Sequence, residues 1–152
     1  MRHIILNGTL ARLKYWVLVV FSIVFCQNAF CSIYSGSAWD EIVNDNYRPS
    51  SITIDDSKNY IIHIKSSYQL AWYAWKTRTE TNEDERGKYT HATIYLDSDI
   101  DLSGYSWRAI GEKGNRSNDF VGTFDGQGHT ISNMVAERFN GDNGAGLFDY
   151  LP

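Results

Sequence analysis

A chain of 152 residues, 43% hydrophobic and 14% aromatic, has enough apolar material for one globular domain and too much for a disordered chain. Its formal net charge is −4, which argues against nucleic acid as a partner, because the phosphate backbone attracts basic surfaces.

The first 31 residues have the pattern of a secretory signal peptide. Arg2, Arg12 and Lys14 precede an apolar run over residues 15–26, and the small residue Ala29 follows. The run is too short for a membrane-spanning helix, which needs about 20 residues. We therefore expect a secreted or cell-surface protein, cleaved after Cys31 or after Ala29, with no membrane span in the mature chain.

Cleavage after Cys31 changes the charge and the redox chemistry of the chain. It removes three basic residues and no acidic ones, so the mature net charge falls to about −7. It also removes both cysteines, so we expect neither a disulfide nor a cysteine metal site.

Residues 32–58 are polar and rich in turn formers, and they predict a loosely ordered lead-in with one strand near residues 51–54. The folded domain is expected over residues 59–152. Its first strand is predicted at residues 60–65. Ser66 and Gln69 have capping-box spacing and predict the start of a helix that ends near Arg78. The segment 79–90, which is rich in acidic residues, is expected to form a solvated loop.

From Ala92 onward the sequence predicts short strands and tight turns. One face of the first strands is apolar and is expected to be buried: Ile94, Leu96, Ile100 and Leu102. The other face is polar and is expected to be exposed: Tyr95, Asp97, Asp99 and Asp101. Apolar strand centres near Ile94, Phe124 and Leu147 recur at intervals within the range of solenoid repeats.

Four sequence blocks in succession carry a family resemblance: "SSYQLAWYAWKT", "TIYLDSDIDLSGYSWRAIG", "FVGTFDGQGHTISNM" and "GAGLFDYL". Over residues 60–150 the chain resembles the amino-terminal unit of bacterial surface proteins with GLUG-type repeats. The resemblance implies a right-handed parallel β-helix of the pectin-lyase-like class. The chain departs from it at Asp149, where the motif usually closes with glycine, and at Pro152, where relatives continue into further coils.

The expected fold is therefore mostly β: the start of a right-handed parallel β-helix, a solenoid, with one amino-terminal capping α-helix. A solenoid needs about three or more repeats to bury its faces. We accordingly expect a truncated solenoid whose last strand, over residues 146–150, leaves an unpaired edge and allows self-association.

The stretch "FVGTFDGQGHTISNM" allows two interpretations. Gly126 and Gly128 permit a tight corner, in which Phe124 and Ile131 face the core and Asp125 binds turn amides. Alternatively, Asp125 and His129 form an acid–base pair, which would need a further catalytic group that the sequence does not offer. The corner is the favoured interpretation.

Four residues are candidate ligand-binding residues: Trp72, Asp97, Asp99 and Asp101. The aspartates could in principle hold Ca²⁺, but an EF-hand beginning at Asp97 lacks the required glycine and glutamate. The histidines have no zinc-ligand spacing. We therefore expect no metal and no cofactor. Trp72 lies off the apolar stripe of its helix and could stack on a sugar.

Three function classes fit this sequence. The first, which we favour, is an exported non-catalytic surface module of adhesin type that binds an extracellular glycan or a host or matrix protein. The second is an accessory module of a secreted polysaccharide-degrading enzyme or peptidase. The third is an inactive truncated fragment. Enzymatic activity is not expected, because the three aspartates lie along one strand and point the same way, leaving no cleft between them.

Overall fold

The computed structural model describes residues 34–111, 118–136 and 146–151. The predicted signal peptide over residues 1–31 lies outside these ranges. The strands, in chain order, are β1 (Tyr34–Ala38), β2 (Ile52–Ile54), β3 (Tyr60–Ile64), β4 (Thr93–Leu96), β5 (Ile100–Asp101), β6 (Gly104–Trp107), β7 (Thr123–Asp125), β8 (Ile131–Ser132) and β9 (Val135–Ala136). The α-helices are α1 (Trp39–Ile42), α2 (Ser67–Thr79) and α3 (Glu83–Thr90), and a 3₁₀ turn covers Asp45–Tyr47.

The strands form three small sheets. One has the order β1-β6-β9, the second β2-β3-β4-β7 and the third β5-β8. All pairs are parallel except β2 with β3, which is antiparallel. Residues 146–150, predicted as a strand, instead contribute one isolated parallel bridge between Phe148 and Ile110.

The prediction of a mostly β chain that begins a β-helix solenoid with one capping helix is wrong. The described residues form mixed sheets, with parallel and antiparallel pairs, and three α-helices instead of one. The antiparallel pair arises because only a short turn joins β2 to β3, whereas a parallel pair needs a crossover of a dozen or more residues. In that turn the Asn59 N–H donates to the Asp55 carboxylate at 2.7 Å.

Helix α3 occupies the segment that we expected to be a solvated loop. The Asn82 side chain accepts a hydrogen bond from the Glu85 N–H at 3.1 Å and caps the helix. Glu83, Asp84 and Glu85 fill the first turn, and Lys88 is in the last, an arrangement that matches the helix dipole. The charges that suggested a loop therefore stabilise a helix.

Helix α2 begins as predicted. The Gln69 N–H donates to the Ser66 hydroxyl at 3.3 Å, which confirms the predicted cap. The Gln69 side chain, however, accepts from the Lys65 N–H at 2.8 Å instead of from Ser66 itself. The helix ends at Thr79, one residue beyond the predicted end.

The core lies between the strands and helix α2. Buried and partly exposed residues alternate along β3 and β4, as the apolar pattern of β4 predicted. The most completely buried residues include Ile62, Ile64, Leu70, Tyr73, Ile94, Leu96, Ile100, Leu102, Trp107 and Ile110. Phe124 and Ile131 pack against this core from β7 and β8 and are themselves partly buried.

The segment 34–58 is more structured than the expected loose lead-in, because it contains β1, α1, the 3₁₀ turn and β2. Its strand β2 lies where a strand was predicted. Trp39 is buried, and its indole N–H donates to the Leu102 carbonyl at 3.1 Å. Asp40 pairs with Arg78 at the end of α2 at 2.9 Å, so side chains as well as strand pairing hold this segment to the domain.

Candidate functional site

The three predicted aspartates lie at β4 and β5: Asp97 follows β4, Asp99 precedes β5 and Asp101 ends β5. Each carboxylate binds a neighbouring segment. Asp97 contacts His63 Nδ1 of β3 at 2.8 Å. Asp99 accepts from the Thr130 N–H at 2.9 Å and contacts His129 Nδ1 at 3.2 Å.

Asp101 completes this set of contacts. Its carboxylate accepts from the Asn133 amide and from the Ser103 N–H, both at 2.9 Å. Asp97, Asp99 and Asp101 therefore all bind groups of the chain itself.

These contacts lower the pKa of all three carboxyl groups. Hydrogen bonding to His63 is the main cause for Asp97, the Thr130 N–H for Asp99, and the Asn133 amide for Asp101. The carboxyl groups are thus ionised at neutral pH. Within residues 34–111, 118–136 and 146–151, no three His, Cys, Asp or Glu side chains are grouped so that they could hold a metal ion.

Asp125 and His129 do not pair, since each has another partner. Asp125 Oδ1 accepts from the Gln127 N–H at 2.9 Å, and His129 contacts Asp99. Gln127 and Gly128 both have positive φ angles, 49° and 80°. An aspartate that accepts from a turn N–H, followed by a glycine with positive φ, is typical of a tight corner. This is the interpretation favoured from the sequence.

Trp72 is completely buried, so its ring offers no face for stacking on a sugar. Its indole N–H donates to Asp45 Oδ1 at 3.1 Å, and the ring meets Tyr89 edge-on with the centroids 6.0 Å apart. The residues that cover Trp72 come from the 3₁₀ turn and from α3. The prediction that Trp72 binds a ligand through its ring face is not supported by this burial.

Above Trp72 the structure forms an open, polar cavity of about 510 Å³, which we call the tyrosine cavity. Its lining comes from the 3₁₀ turn, β3, α2 and α3: Asp45, Arg48, Tyr60, Trp72, Lys76, Glu80, Glu85 and Tyr89. It combines aromatic side chains with charges of both signs.

Each element brings its side chains to the tyrosine cavity for a local reason. Asp45 opens the 3₁₀ turn and Arg48 directly follows its last residue, so the two line the cavity from nearby positions of one short segment. Lys76 and Glu80 are one α-helical turn apart at the end of α2, as are Glu85 and Tyr89 on α3.

Three of the five charged residues that line the tyrosine cavity, Lys76, Glu80 and Glu85, form ion pairs. Lys76 Nζ lies 2.9 Å from Glu80, and Lys88 Nζ lies 2.6 Å from Glu85. The Tyr60 hydroxyl donates to the second oxygen of Glu85 at 2.6 Å. The walls of the cavity are therefore held in place by ion pairs and hydrogen bonds in the ligand-free protein.

The ion pairs also fix the protonation of the cavity. Hydrogen bonding to Lys76 lowers the pKa of Glu80, and hydrogen bonding to Lys88 and then to Tyr60 lowers that of Glu85. Burial opposes the charge of Lys76, but the hydrogen bond to Glu80 and the surrounding negative charges outweigh burial and raise the pKa. Burial also raises the pKa of Tyr60. At neutral pH the carboxylates are charged acceptors and the tyrosine is a neutral donor.

Sequence reasoning missed the tyrosine cavity, because it placed Asp45 and Arg48 in a loose lead-in and Glu80, Glu85 and Tyr89 in a solvated loop. One signal was present: Asn82 precedes three acidic residues, which is the pattern of a capped helix start. A helix at residues 83–90 would have put Glu85 and Tyr89 on one face. No local pattern indicated that Asp45 and Arg48 would meet them.

Comparisons with protein-family models, with curated proteins and with solved structures give no match to this chain. The resemblance to GLUG-type surface proteins therefore stays a prediction from the sequence blocks. Within the part of the chain that the structure describes, no helix has the length and apolar character needed to cross a membrane.

Proposed function

We propose that this protein is an exported, non-catalytic surface module of adhesin type that binds an extracellular glycan in the tyrosine cavity. The cavity itself is the observation that carries the proposal. Ionised carboxylates accept hydrogen bonds from sugar hydroxyls, and tyrosine hydroxyls donate or accept them. The open cavity of about 510 Å³ falls in the size range of small-molecule sites.

The pairing of the cavity's charges supports binding by a rigid surface. Because Lys76 already pairs with Glu80, and Glu85 already binds Lys88 and Tyr60, a ligand would not have to order these side chains on binding. Preorganisation of this kind reduces the entropy cost of association. A secreted or cell-surface location, inferred from the first 31 residues, would bring the cavity into contact with glycans outside the cell.

The absence of catalysis is part of the proposal. Glycoside hydrolysis usually requires one carboxyl group that is protonated and one that is ionised. The pKa of each carboxyl group in the Asp97, Asp99 and Asp101 set is lowered, as is that of Glu80 and of Glu85. None of these five groups is therefore suited to donate a proton at neutral pH.

Glycan binding by the processed protein tests the proposal. We expect binding to a subset of an oligosaccharide panel, with affinity reduced about tenfold by Asp45→Asn, since a hydrogen bond to a charged group contributes about 1.5–3 kcal/mol. The amide oxygen introduced by this substitution can still accept from the Trp72 indole. The matched control is Asp101→Asn, which removes the same charge outside the cavity and should leave binding unchanged.

Two results would contradict the proposal. One is a protein that binds no member of the panel. The other is release of new reducing ends from a glycan, with turnover abolished by Asp99→Asn or by His129→Ala, because that result would establish an enzyme.

A further inference from the structure

Among the described residues, Arg48 is the cation of the tyrosine cavity that has no ion-pair partner. Its side chain is exposed at the cavity, and it forms no ion pair with any residue in the described ranges. The other nearby cations are engaged: Lys76 with Glu80 and Lys88 with Glu85. Arg48 is thus left available to an external anion.

The charge of Arg48 acts on the interior of the cavity. Burial raises the pKa of Tyr89, and the positive charge of Arg48 is the largest influence that opposes the rise. The same charge helps to lower the pKa of Glu85, after its hydrogen bonds to Lys88 and Tyr60. Arg48 lines the cavity together with both of these residues.

The geometry of a guanidinium selects among anions. Its planar fork of N–H donors matches the two oxygens of a carboxylate, which gives paired, charge-assisted hydrogen bonds. Asp45, three residues before Arg48, lines the same cavity. One of its oxygens is occupied by the Trp72 N–H, which leaves the other to accept a hydroxyl group of the same ligand.

The acidity of the chain limits how such a ligand can bind. With a mature net charge of about −7, the protein as a whole repels an anion. Inside the cavity, however, Glu80 and Glu85 are neutralised by their lysine partners. Binding of an anionic ligand therefore depends on its local contact with Arg48, and the net charge of the protein does not help to attract the ligand over long distances.

We propose that the tyrosine cavity recognises an acidic sugar, and that Arg48 binds its carboxylate while Asp45 accepts one of its hydroxyl groups. This inference rests on the proposed glycan-binding function and specifies the substrate class of the same site. Uronic acids and sialic acids share the required chemistry, a carboxylate attached to a hydroxylated ring.

The test compares matched pairs of probes that differ in the carboxylate. One pair is a hexasaccharide of galacturonic acid and the same hexasaccharide after reduction of its carboxyl groups. The other is sialyllactose and lactose. Calorimetric titration of the processed protein should show at least tenfold tighter binding of the acidic member in one pair, and the pair that responds identifies the source of the carboxylate.

Variants at Arg48 connect this preference to the residue. Arg48→Gln should lose the preference and bind the acidic and neutral members about equally, and Arg48→Lys should keep part of it, because an ammonium group lacks the bidentate fork. Lys65→Gln is the control. This substitution makes the same change in charge. Lys65 directly follows β3, at the opposite end of the strand from Tyr60, and its side chain is 64% exposed. The variant should therefore bind as the wild type does.

The outcomes separate the two levels of inference. If neutral and acidic probes bind equally well and Arg48→Gln has no effect, the role of Arg48 is wrong while glycan binding stands. If Lys65→Gln weakens acidic binding as much as Arg48→Gln does, the attraction is a general charge effect and the site assignment fails. If no probe binds, both proposals fail.

Discussion

The indole of Trp72 has two separate roles, one in packing and one in positioning. Its rings fill space between α2 and α3, and its N–H orients the carboxylate of Asp45 at the wall of the tyrosine cavity. A ligand would meet Asp45 and not the indole itself. The contribution of Trp72 to binding is therefore indirect, through a neighbour.

Replacing Trp72 should first affect stability. We expect Trp72→Ala to lower the free energy of unfolding by about 3–5 kcal/mol, the usual cost of removing a large buried aromatic side chain. Trp75→Ala, in the same helix but only partly buried, should cost less. Urea unfolding followed by circular dichroism measures both. A free energy of unfolding that is unchanged in Trp72→Ala would contradict the burial on which this prediction rests.

The aspartates at positions 97, 99 and 101 should make the fold sensitive to acid. Their pKa values are lower in the folded state than the roughly 3.9 of an unfolded aspartate. Their stabilising contribution is therefore present above the unfolded value and is lost as the pH falls through the lower folded values.

Urea midpoints measured between pH 2 and pH 6 check this expectation. The urea midpoint of the wild type should decrease as the pH is lowered below about 4. The decrease should be smaller for Asp99→Asn, because this variant lacks one of the carboxyl groups with a lowered pKa. Asp56→Asn, at an exposed position in the turn between β2 and β3, is the control and should keep the wild-type slope. Equal slopes in the wild type and in Asp99→Asn would argue against the prediction.

At the scale of elements, strand β4 and the segment leading to β7 approach so closely that the chain needs a glycine. A Cβ atom placed on Gly122 would overlap the carbonyl oxygen of Ala92, which is a fixed backbone atom. The same carbonyl accepts from the Thr123 N–H at 3.0 Å. The absence of a side chain at residue 122 therefore allows β7 to join the sheet.

Two glycine-to-alanine substitutions should have opposite effects. Gly122→Ala should destabilise the fold by about 1–3 kcal/mol, because the backbone must shift to admit the methyl group. Gly87→Ala should stabilise it by up to about 1 kcal/mol, because residue 87 is inside helix α3 and a Cβ there meets no atom within 4 Å. Thermal and urea unfolding give both values. Destabilisation by Gly87→Ala would mean that residues 83–90 are not helical.

Some elements could be predicted because their signal is local. The alternating residues of β4 indicated its buried face, and the Ser66 hydroxyl indicated the start of α2. Other features could not, because they depend on residues far apart in sequence. Trp72 lies off the apolar stripe of its helix and is buried only because Asp45 and Tyr89 cover it.

The candidate site illustrates the same limit. In the sequence, nothing distinguishes its polar residues from other polar residues of a protein surface. Only the fold brings Arg48, which follows the 3₁₀ turn, into one cavity with Glu85 of α3. The predicted aspartates, by contrast, were singled out because they are adjacent and conspicuous. In the structure their carboxylates form hydrogen bonds with neighbouring segments of the chain and so stabilise the fold.

At the scale of the whole molecule, the last strand of each sheet has one paired side among the described residues. β7, β8 and β9 each follow a strand in the pairing order and have no described strand beyond them. Exposed apolar residues lie close by in the chain, among them Val121, Met134 and Val135. Unpaired strand edges with apolar neighbours favour association between chains.

We therefore expect self-association that depends on concentration. Sedimentation of the protein should show a larger average mass as concentration rises from micromolar to millimolar. Val135→Lys should reduce this shift, because a charged side chain on an edge strand opposes pairing. Lys65→Gln, away from these edges, should not change it. A monomer at every concentration would contradict the expectation.

If the chain is exported, as proposed, the pairing of β1 with β6 determines when it can finish folding. Residue 34 aligns with residue 104, and the Trp39 indole donates to the carbonyl of Leu102, so β1 depends on residues about 70 positions later. A polypeptide that crosses a membrane from its amino terminus delivers β1 first and must hold it without a partner until β6 arrives. Such long-range closure slows folding. During this interval a chaperone on the far side of the membrane would encounter β1 as an unpaired strand, and the speed of translocation would decide how long it stays exposed.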